Sequence, residues 1–173
     1  MRHFFHLSIV VAFASVVLSS CAGYRLGVNK PAALAGVKNI HVPMFSNQSF
    51  HPRAEALATS AVVNAFTTDG TYRITGLDEA DAVLEGRVAS ITYSQLVGNR
   101  LDTALPEQLT NAVTLNWELK DSRDRGKVLM AGSSVGTSQL FVTSNLQTSR
   151  NNALPEAVER AGEVMVSRLS SSY

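Results

Sequence analysis

The stretch VTLNWELK, residues 113–120, decides the fold class of this chain. Its apolar side chains alternate with polar ones, which is the period of a β-strand with one buried and one solvent-facing side. A charged turn follows over residues 121–126, and residues 127–140 contain a second strand pattern. Two strand patterns joined by a polar turn predict an antiparallel hairpin with one wet face.

Further strand patterns lie upstream of this hairpin, at residues 38–45, 71–76 and 81–97. In the last of these, the apolar positions change phase near Ala89 and Ser90. A one-residue change of phase moves side chains to the opposite face, so it predicts a β-bulge or a strand that is covered on both faces.

Two amphipathic helices complete the pattern. The first has its apolar positions within residues 54–66. Pro52 lies in its first turn, and Gly70 is its left-handed C-terminal cap. The second covers residues 154–169. The order β-α-β-β-β-β-α predicts an α+β fold in which two helices pack on one face of a mixed four- to five-stranded β-sheet.

The N-terminus has the charged, apolar and small-residue segments of a secretory signal peptide. Its apolar run, residues 7–18, would span about 18 Å as a helix, which is too short for a hydrocarbon core of about 30 Å. The only cysteine, Cys21, follows at once, and LSSC at residues 18–21 resembles the bacterial lipobox, whose cysteine receives fatty acyl chains such as palmitate. An ordinary cleaved signal with a chance cysteine is the alternative. We expect a lipoprotein signal peptide at 1–20, a lipidated tether at 21–36 and a single domain at 37–173.

The composition excludes several classes of function. Without residues 1–20, 14 basic residues stand against 14 acidic ones, so the mature chain is formally neutral and carries no nucleic-acid footprint. A chain of this length can bury about 70% of its unfolded surface without metals or disulfides. We expect no cofactor.

Catalytic and metal sites are weakly supported by the sequence. GSSVG, residues 132–136, matches the G-x-S-x-G pattern of a hydrolase, but the last histidine, His51, precedes Ser134, whereas that motif needs a later histidine and a helix after its strand. The glycines instead favour a strand that is thin, bulged or closely approached by another element. The remaining candidates, acidic residues that lack the spacing of a calcium loop, are Asp78, Glu79 and Asp81. We therefore predict no enzyme, no catalytic residue and no metal site.

Basic residues surround the hairpin turn. Arginine forks and lysine ammonium groups bind phosphate, so this tip is a candidate for contact with a lipid or an acidic partner. Two acidic residues interrupt the group, and an ordinary solvated turn is the alternative. The candidate phosphate-binding residues are Lys120, Arg123, Arg125 and Lys127.

Several motifs, taken in order, resemble a known family. They are CAGYRL at 21–26, IHVPMFSNQS at 40–49, GTY at 70–72 and ADAVLEG at 80–86, followed by the closing helix. In this order behind a lipobox they are similar to the lipopolysaccharide-assembly outer-membrane lipoproteins of the LptE family. An alanine separates Cys21 from the Gly-Tyr pair, which departs from the family pattern.

The resemblance implies a non-enzymatic lipoprotein, lipid-anchored on the periplasmic side of the outer membrane. It implies two partners, the β-barrel translocon LptD and lipopolysaccharide. Such a protein plugs the barrel lumen, helps the barrel to assemble and assists lipopolysaccharide transport to the cell surface. On this interpretation the four basic tip residues would be the lipopolysaccharide contacts, an assignment that rests on charge alone.

A different class of envelope protein has a similar opening. Outer-membrane activators of peptidoglycan synthases and the curli-secretion lipoprotein have strand-turn segments that resemble residues 40–49. This alternative predicts a synthase partner or a ring of identical subunits rather than a barrel partner.

Overall fold

The computed structural model describes residues 30–95, 108–141 and 145–171. The signal peptide and the acylation of Cys21 fall outside these ranges and stay predictions. Two 3-10 turns, Ala32–Leu34 and Leu77–Glu79, accompany the main elements. Those are β1 (Asn39–His41), β2 (Ser46–Asn47), α1 (Ala54–Asp69), β3 (Arg73–Ile74), β4 (Ala82–Gln95), β5 (Gln108–Asp121), β6 (Val128–Phe141) and α2 (Leu146–Ser170).

The strands form one mixed sheet in the order β3-β1-β4-β5-β6, with β2 also paired to β4. β1 runs parallel to β3 and β4, whereas β4, β5 and β6 are antiparallel. The α+β class with two helices and a mixed sheet is confirmed. The described residues form six strands rather than four or five, because Ser46–Asn47 pairs with β4 beyond β1. A pairing of two residues is too short to leave an alternating pattern in the sequence.

The predicted hairpin and bulge are both present. β5 pairs with β6 over its whole length, and its buried residues alternate with less buried ones. In β4 the register shifts between Val88 and Ser90, at the predicted phase change. Because of this bulge, Val88 and Ile91 both lie on the helix side of the sheet although they are an odd number of positions, three, apart.

The first helix ends as the sequence predicts but begins later. Gly70 caps α1 at φ 72°, and its N–H donates to the Phe66 carbonyl over 2.9 Å. Pro52 lies in the turn before the helix rather than in its first turn, and Arg53 takes the N-cap position with φ 66°. The backbone therefore makes a left-handed turn immediately before the first helical residue.

The second helix begins eight residues earlier than predicted. Asn145 caps it by accepting a hydrogen bond from the Thr148 N–H over 3.1 Å, and the helix continues through Pro155. The predicted start near Leu154 followed the apolar spacing, which begins there because residues 147–152 are all polar, and a proline at 155 is also typical of a first helical turn. At the other end of the chain, Leu34, assigned to the tether, is fully buried in the domain core.

The core lies between the sheet and the two helices. Phe66 is fully buried and meets the Tyr72 ring edge-on, with 6.0 Å between the ring centroids. The Tyr72 hydroxyl donates to the Leu169 carbonyl over 2.6 Å, which ties the segment after α1 to the end of α2. Burial raises the pKa of Tyr72 to about 12, with a smaller contribution from the charge of Asp69, so this hydroxyl keeps its proton.

Candidate functional site

The sheet face opposite the helices is rich in hydroxyl groups and uncharged from the row of Ser90 to the row of Ser94, and Arg87 lies on the same face one row before them, beside Asn116 and Ser133. No helix in the described ranges packs on this face. Its residues neighbour one another across the strands in the register Ser90–Thr114–Val135 and Thr92–Ala112–Thr137. Hydroxyl and small apolar side chains on a flat sheet favour contact with another polar protein surface. We call this surface the open sheet face and define it by Ser90, Thr92, Ser94, Thr110, Ala112, Thr114, Ser133, Val135, Thr137 and Gln139.

Lys120 lies at the charged end of the same sheet face, where it forms salt bridges with two carboxylates. Its ammonium group lies 2.7 Å from a Glu85 carboxylate oxygen and 3.3 Å from one of Glu118. These two acceptors, Glu85 first, raise the pKa of Lys120. Its charge is therefore partly neutralised within the protein.

The other three predicted phosphate-binding residues lie together in the β5–β6 turn. Arg123, Arg125 and Lys127 are exposed, and none forms a salt bridge within the described ranges. Asp121 organises this turn, because its Oδ1 accepts hydrogen bonds from the backbone N–H groups of Arg123, at 2.9 Å, and of Asp124, at 3.3 Å. These backbone bonds lower the pKa of Asp121. The three turn residues therefore form no salt bridge within the described ranges, whereas Lys120 forms two.

The acidic residues considered as metal ligands have other roles or lie apart. Asp81 Oδ2 accepts the backbone N–H groups of Lys38 and Asn39, each over 2.9 Å, and these bonds lower its pKa. Asp78 and Glu79 are exposed in a 3-10 turn. Across the residues that the structure describes, no group of three His, Cys, Asp or Glu side chains is placed to hold a metal ion.

The G-x-S-x-G motif lies inside β6, and its residues have packing roles. Ser134 is fully buried, and its Oγ accepts a hydrogen bond from the Trp117 indole N–H over 3.0 Å. A Cβ at Gly132 would come within 2.6 Å of the Trp117 ring, and one at Gly136 within 2.1 Å of the Ala157 carbonyl oxygen. The motif therefore allows an indole ring and a helix backbone to approach the strand, as the close-approach interpretation predicted.

Replacing Ser134 with alanine is expected to lower the free energy of unfolding by about 1–2 kcal/mol, because the buried Trp117 N–H loses its acceptor. Urea unfolding followed by tryptophan fluorescence would measure this change. Ser133→Ala is the matched control: Ser133 is exposed and the variant should stay within about 0.5 kcal/mol of the parent. Equal stability of the two variants would contradict the packing role.

A cluster of three side chains escaped the sequence analysis. The Tyr93 hydroxyl lies 2.7 Å from His51 Nε2, and the Arg150 guanidinium stacks over the Tyr93 ring at 4.7 Å from its centroid. Burial raises the pKa of Tyr93, and the Arg150 charge opposes this change. Arg150 Nε is buried and has no hydrogen-bond partner in the described part of the chain. No local pattern joins these residues, because 42 positions separate His51 from Tyr93.

Two arginines of α2 cover carbonyl groups on the outer edge of the sheet. Arg160 donates to the Thr137 carbonyl over 2.8 Å, and Arg168 donates to the Ser133 carbonyl over 2.5 Å. Arg160 also pairs with Glu156 at 2.6 Å on the same helix. Two outward-facing carbonyl groups of the edge strand β6 therefore already accept hydrogen bonds from side chains of α2.

Within the described ranges, neither α1 nor α2 combines the length and the apolar character that a membrane crossing requires.

Solved structures of bacterial proteins include chains that are similar to this one. A minor lipoprotein from Acinetobacter baumannii aligns with a TM-score of 0.52 and 9% identity, over 78% of this chain and 94% of that one. The PelC dodecamer from Paraburkholderia phytofirmans aligns with a TM-score of 0.43 and 23% identity, over 76% of this chain and 92% of that one. At this identity the similarity to the Acinetobacter protein shows only a shared fold. The similarity to PelC is too low to support any conclusion. No curated protein matches the sequence.

Comparison of the sequence with protein-family models identifies a family, whereas the structural comparison shows only a fold. The sequence model of the lipopolysaccharide-assembly family LptE matches residues 37–169, which include every strand and helix from β1 to nearly the end of α2. This is most of the chain, and the match contains three of the four quoted motifs, at residues 40–49, 70–72 and 80–86, whereas residues 21–26 lie outside it. The chain belongs to the lipopolysaccharide-assembly family LptE, whose members are non-enzymatic.

Proposed function

We propose that this protein is a non-enzymatic outer-membrane lipoprotein, acylated at Cys21, that plugs and helps to assemble the LptD β-barrel. It would face the periplasm and assist the transport of lipopolysaccharide to the cell surface. The family match over residues 37–169 is the observation that supports this proposal. The tether from Cys21 would hold the domain at the inner leaflet, because two or more acyl chains anchor a protein stably where one does not.

The open sheet face is the surface that we propose for the barrel contact. The interior of an outer-membrane barrel is polar, and its side chains offer hydrogen-bond donors and acceptors. Thr114, Ser133 and Thr137 present hydroxyl groups that act as both. The rows of Ser90, Thr92 and Ser94 carry no charge, so this part of the face can enter such a lumen without leaving an unpaired ion buried there.

Co-purification from the envelope tests this proposal. Tagged full-length protein, solubilised in mild detergent, should bring down a stoichiometric large β-barrel. Val135→Glu should reduce the recovered barrel at least tenfold, because it would bury a carboxylate in the proposed interface. Val164→Glu is the matched control, since it makes the same change on α2, away from the open sheet face, and Val164 is 36% exposed against 50% for Val135. Recovery of a peptidoglycan synthase or a ring of identical subunits would replace the barrel proposal.

Lipopolysaccharide binding at the β5–β6 turn is the second part of the proposal. The candidate residues are Arg123, Arg125 and Lys127, with Lys120 at the end of the sheet. The three turn residues are exposed and unpaired, so they can offer their charges to the phosphate groups of the glycolipid. Lys120 would contribute less, because Glu85 and Glu118 already hold its ammonium group.

Reversing the charge of Arg123, Arg125 and Lys127 to glutamate is expected to weaken lipopolysaccharide binding by at least tenfold and to reduce its dependence on salt. Binding of fluorescent lipopolysaccharide to the purified protein would measure both effects. Three matched reversals away from the turn, at Arg53, Arg73 and Arg87, form the control, which should keep more than half of the affinity. Undiminished binding by the turn variant would refute this assignment and leave the plug role intact.

A further inference from the structure

A groove of about 660 Å³ lies between α1 and α2 on the outer side of the helix layer. Its floor contains small and apolar side chains, including Ala61, Ala65 and Val166. Gly162 of α2 lies close to α1 here, since a Cβ at this position would be 3.5 Å from the Ala61 backbone, an ordinary van der Waals contact. The volume falls in the range of about 300–1,000 Å³ that is typical of ligand pockets.

The two helices run in the same direction along this groove. Gly162 of α2 lies against Ala61 of α1, and eight residues further along both helices the Ser170 hydroxyl donates to Asp69 Oδ1 over 2.7 Å. Both C-terminal ends therefore meet at the same end of the groove. The carbonyl groups at a helix C-terminus carry partial negative charge, so the two macrodipoles reinforce each other there.

The charged side chains that line the groove are all acidic. Among its described lining residues are Glu159, Glu163 and Asp69, and none is lysine, arginine or histidine. Glu159 and Glu163 are exposed and form no salt bridge within the described ranges. Like charges four residues apart on a helix repel each other, so a cationic ligand would relieve the repulsion between Glu159 and Glu163. Although burial opposes the change, hydrogen bonds from Thr71 and Ser170 lower the pKa of Asp69, so this carboxylate keeps its negative charge at the same groove.

We propose that this groove binds a basic amphipathic segment of a partner protein. The apolar side of the segment would lie on Ala61, Ala65 and Val166, and its lysine or arginine side chains would pair with the three carboxylates. Glu159 and Glu163 are about 6 Å apart along the helix axis, and Ser170, beside Asp69, lies about 10 Å beyond Glu163. Basic side chains at successive helical turns match this row of charges, which is the pattern of a helix bound in a groove.

Two other cationic or lipid ligands fit the groove less well. A metal ion needs carboxylates that converge on one point, whereas these follow a line, and the described residues contain no such cluster. An anionic glycolipid would be repelled by the acidic side chains. The inference concerns the helix layer and does not depend on the barrel or lipopolysaccharide proposals, which use the open sheet face and the β5–β6 turn.

Binding of a synthetic peptide to the purified full-length protein tests the inference. The peptide has about 14 residues, with leucines on one face and lysines at helical spacing on the other. It carries a fluorophore, and a photoreactive group is attached to its apolar face. We expect saturable binding by fluorescence anisotropy, cross-links confined to residues 61–71 and 159–171, and no binding of the same peptide with glutamates for lysines. Glu159→Gln with Glu163→Gln should weaken binding about tenfold.

The matched control removes two acidic residues elsewhere. Asp78→Asn with Glu79→Gln changes the net charge equally in an exposed turn, and its affinity should stay within about twofold of the parent. The Glu159/Glu163 variant should remain folded, since it relieves a repulsion between like charges. Equal losses in both double variants, unchanged affinity of the Glu159/Glu163 variant, or cross-links outside the groove would overturn the inference.

Discussion

Replacing Gly136 with alanine is expected to lower the free energy of unfolding by about 3 kcal/mol or more. A Cβ at this position would lie 2.1 Å from the Ala157 carbonyl oxygen and 2.3 Å from the Ala161 amide nitrogen. Both atoms belong to the backbone of α2, so no change of side-chain rotamer can relieve the overlap. The whole helix would have to move away from β6, which separates groups packed to near-crystalline density.

Thermal unfolding would show this effect as a fall in Tm of about 6–12 °C, at about 2–4 °C per kcal/mol for a chain of this size. Gly76→Ala is the matched control, because a Cβ at Gly76 meets nothing within 4 Å and its φ of −64° suits alanine. The control should stay within about 0.5 kcal/mol of the parent. A Gly136 variant as stable as this control would show that α2 does not pack on β6 as described.

Replacing Phe66 with alanine is expected to lower the free energy of unfolding by about 3–5 kcal/mol. The side chain is fully buried between α1 and the rest of the core, and its ring meets that of Tyr72 at 84°. Its removal loses the transfer free energy of the ring and leaves a cavity that the neighbouring residues fill only in part. The edge-on aromatic contact adds about 0.5–1.5 kcal/mol to that loss.

Phe50→Ala provides a control with the same chemical change at the opposite extreme of burial. Phe50 is fully exposed, with a relative accessibility of 106%, so its removal should change stability by less than about 0.5 kcal/mol. Urea denaturation of both variants and the parent would compare them directly. Similar losses for Phe50 and Phe66 would mean that Phe50 is covered in solution, and a small loss for Phe66 would contradict its place in the core.

The sequence predicted those features of the fold that leave a periodic pattern. The β5–β6 hairpin, the phase change near Ala89 and the Gly70 cap all follow from side-chain alternation or from one residue with a special backbone preference. β2 was missed because two residues cannot show a period. The first turns of α2 were missed because residues 147–152 are all polar and show no apolar spacing, whereas Asn145 supplies a competent cap further upstream.

The functional surfaces were less accessible to sequence analysis. Cationic side chains at the β5–β6 turn were evident from their spacing, but the salt bridges from Lys120 to Glu85 and Glu118 depend on strand register. The contact of His51 with Tyr93 and the row of Glu159, Glu163 and Asp69 arise only when distant segments meet. Such surfaces are set by tertiary packing, which no local pattern encodes.

The arginine contacts on β6 have a consequence for how this protein meets others. A long edge strand normally offers its free carbonyl and N–H groups as a template for another strand, which leads to aggregation or to strand addition. Arg160 and Arg168 occupy two of these carbonyls, four residues apart, with guanidinium groups that a docking strand would have to displace. Strand addition along β6 would therefore cost the contacts of two guanidinium groups. This cost favours partners that recognise side chains over partners that extend the sheet from β6.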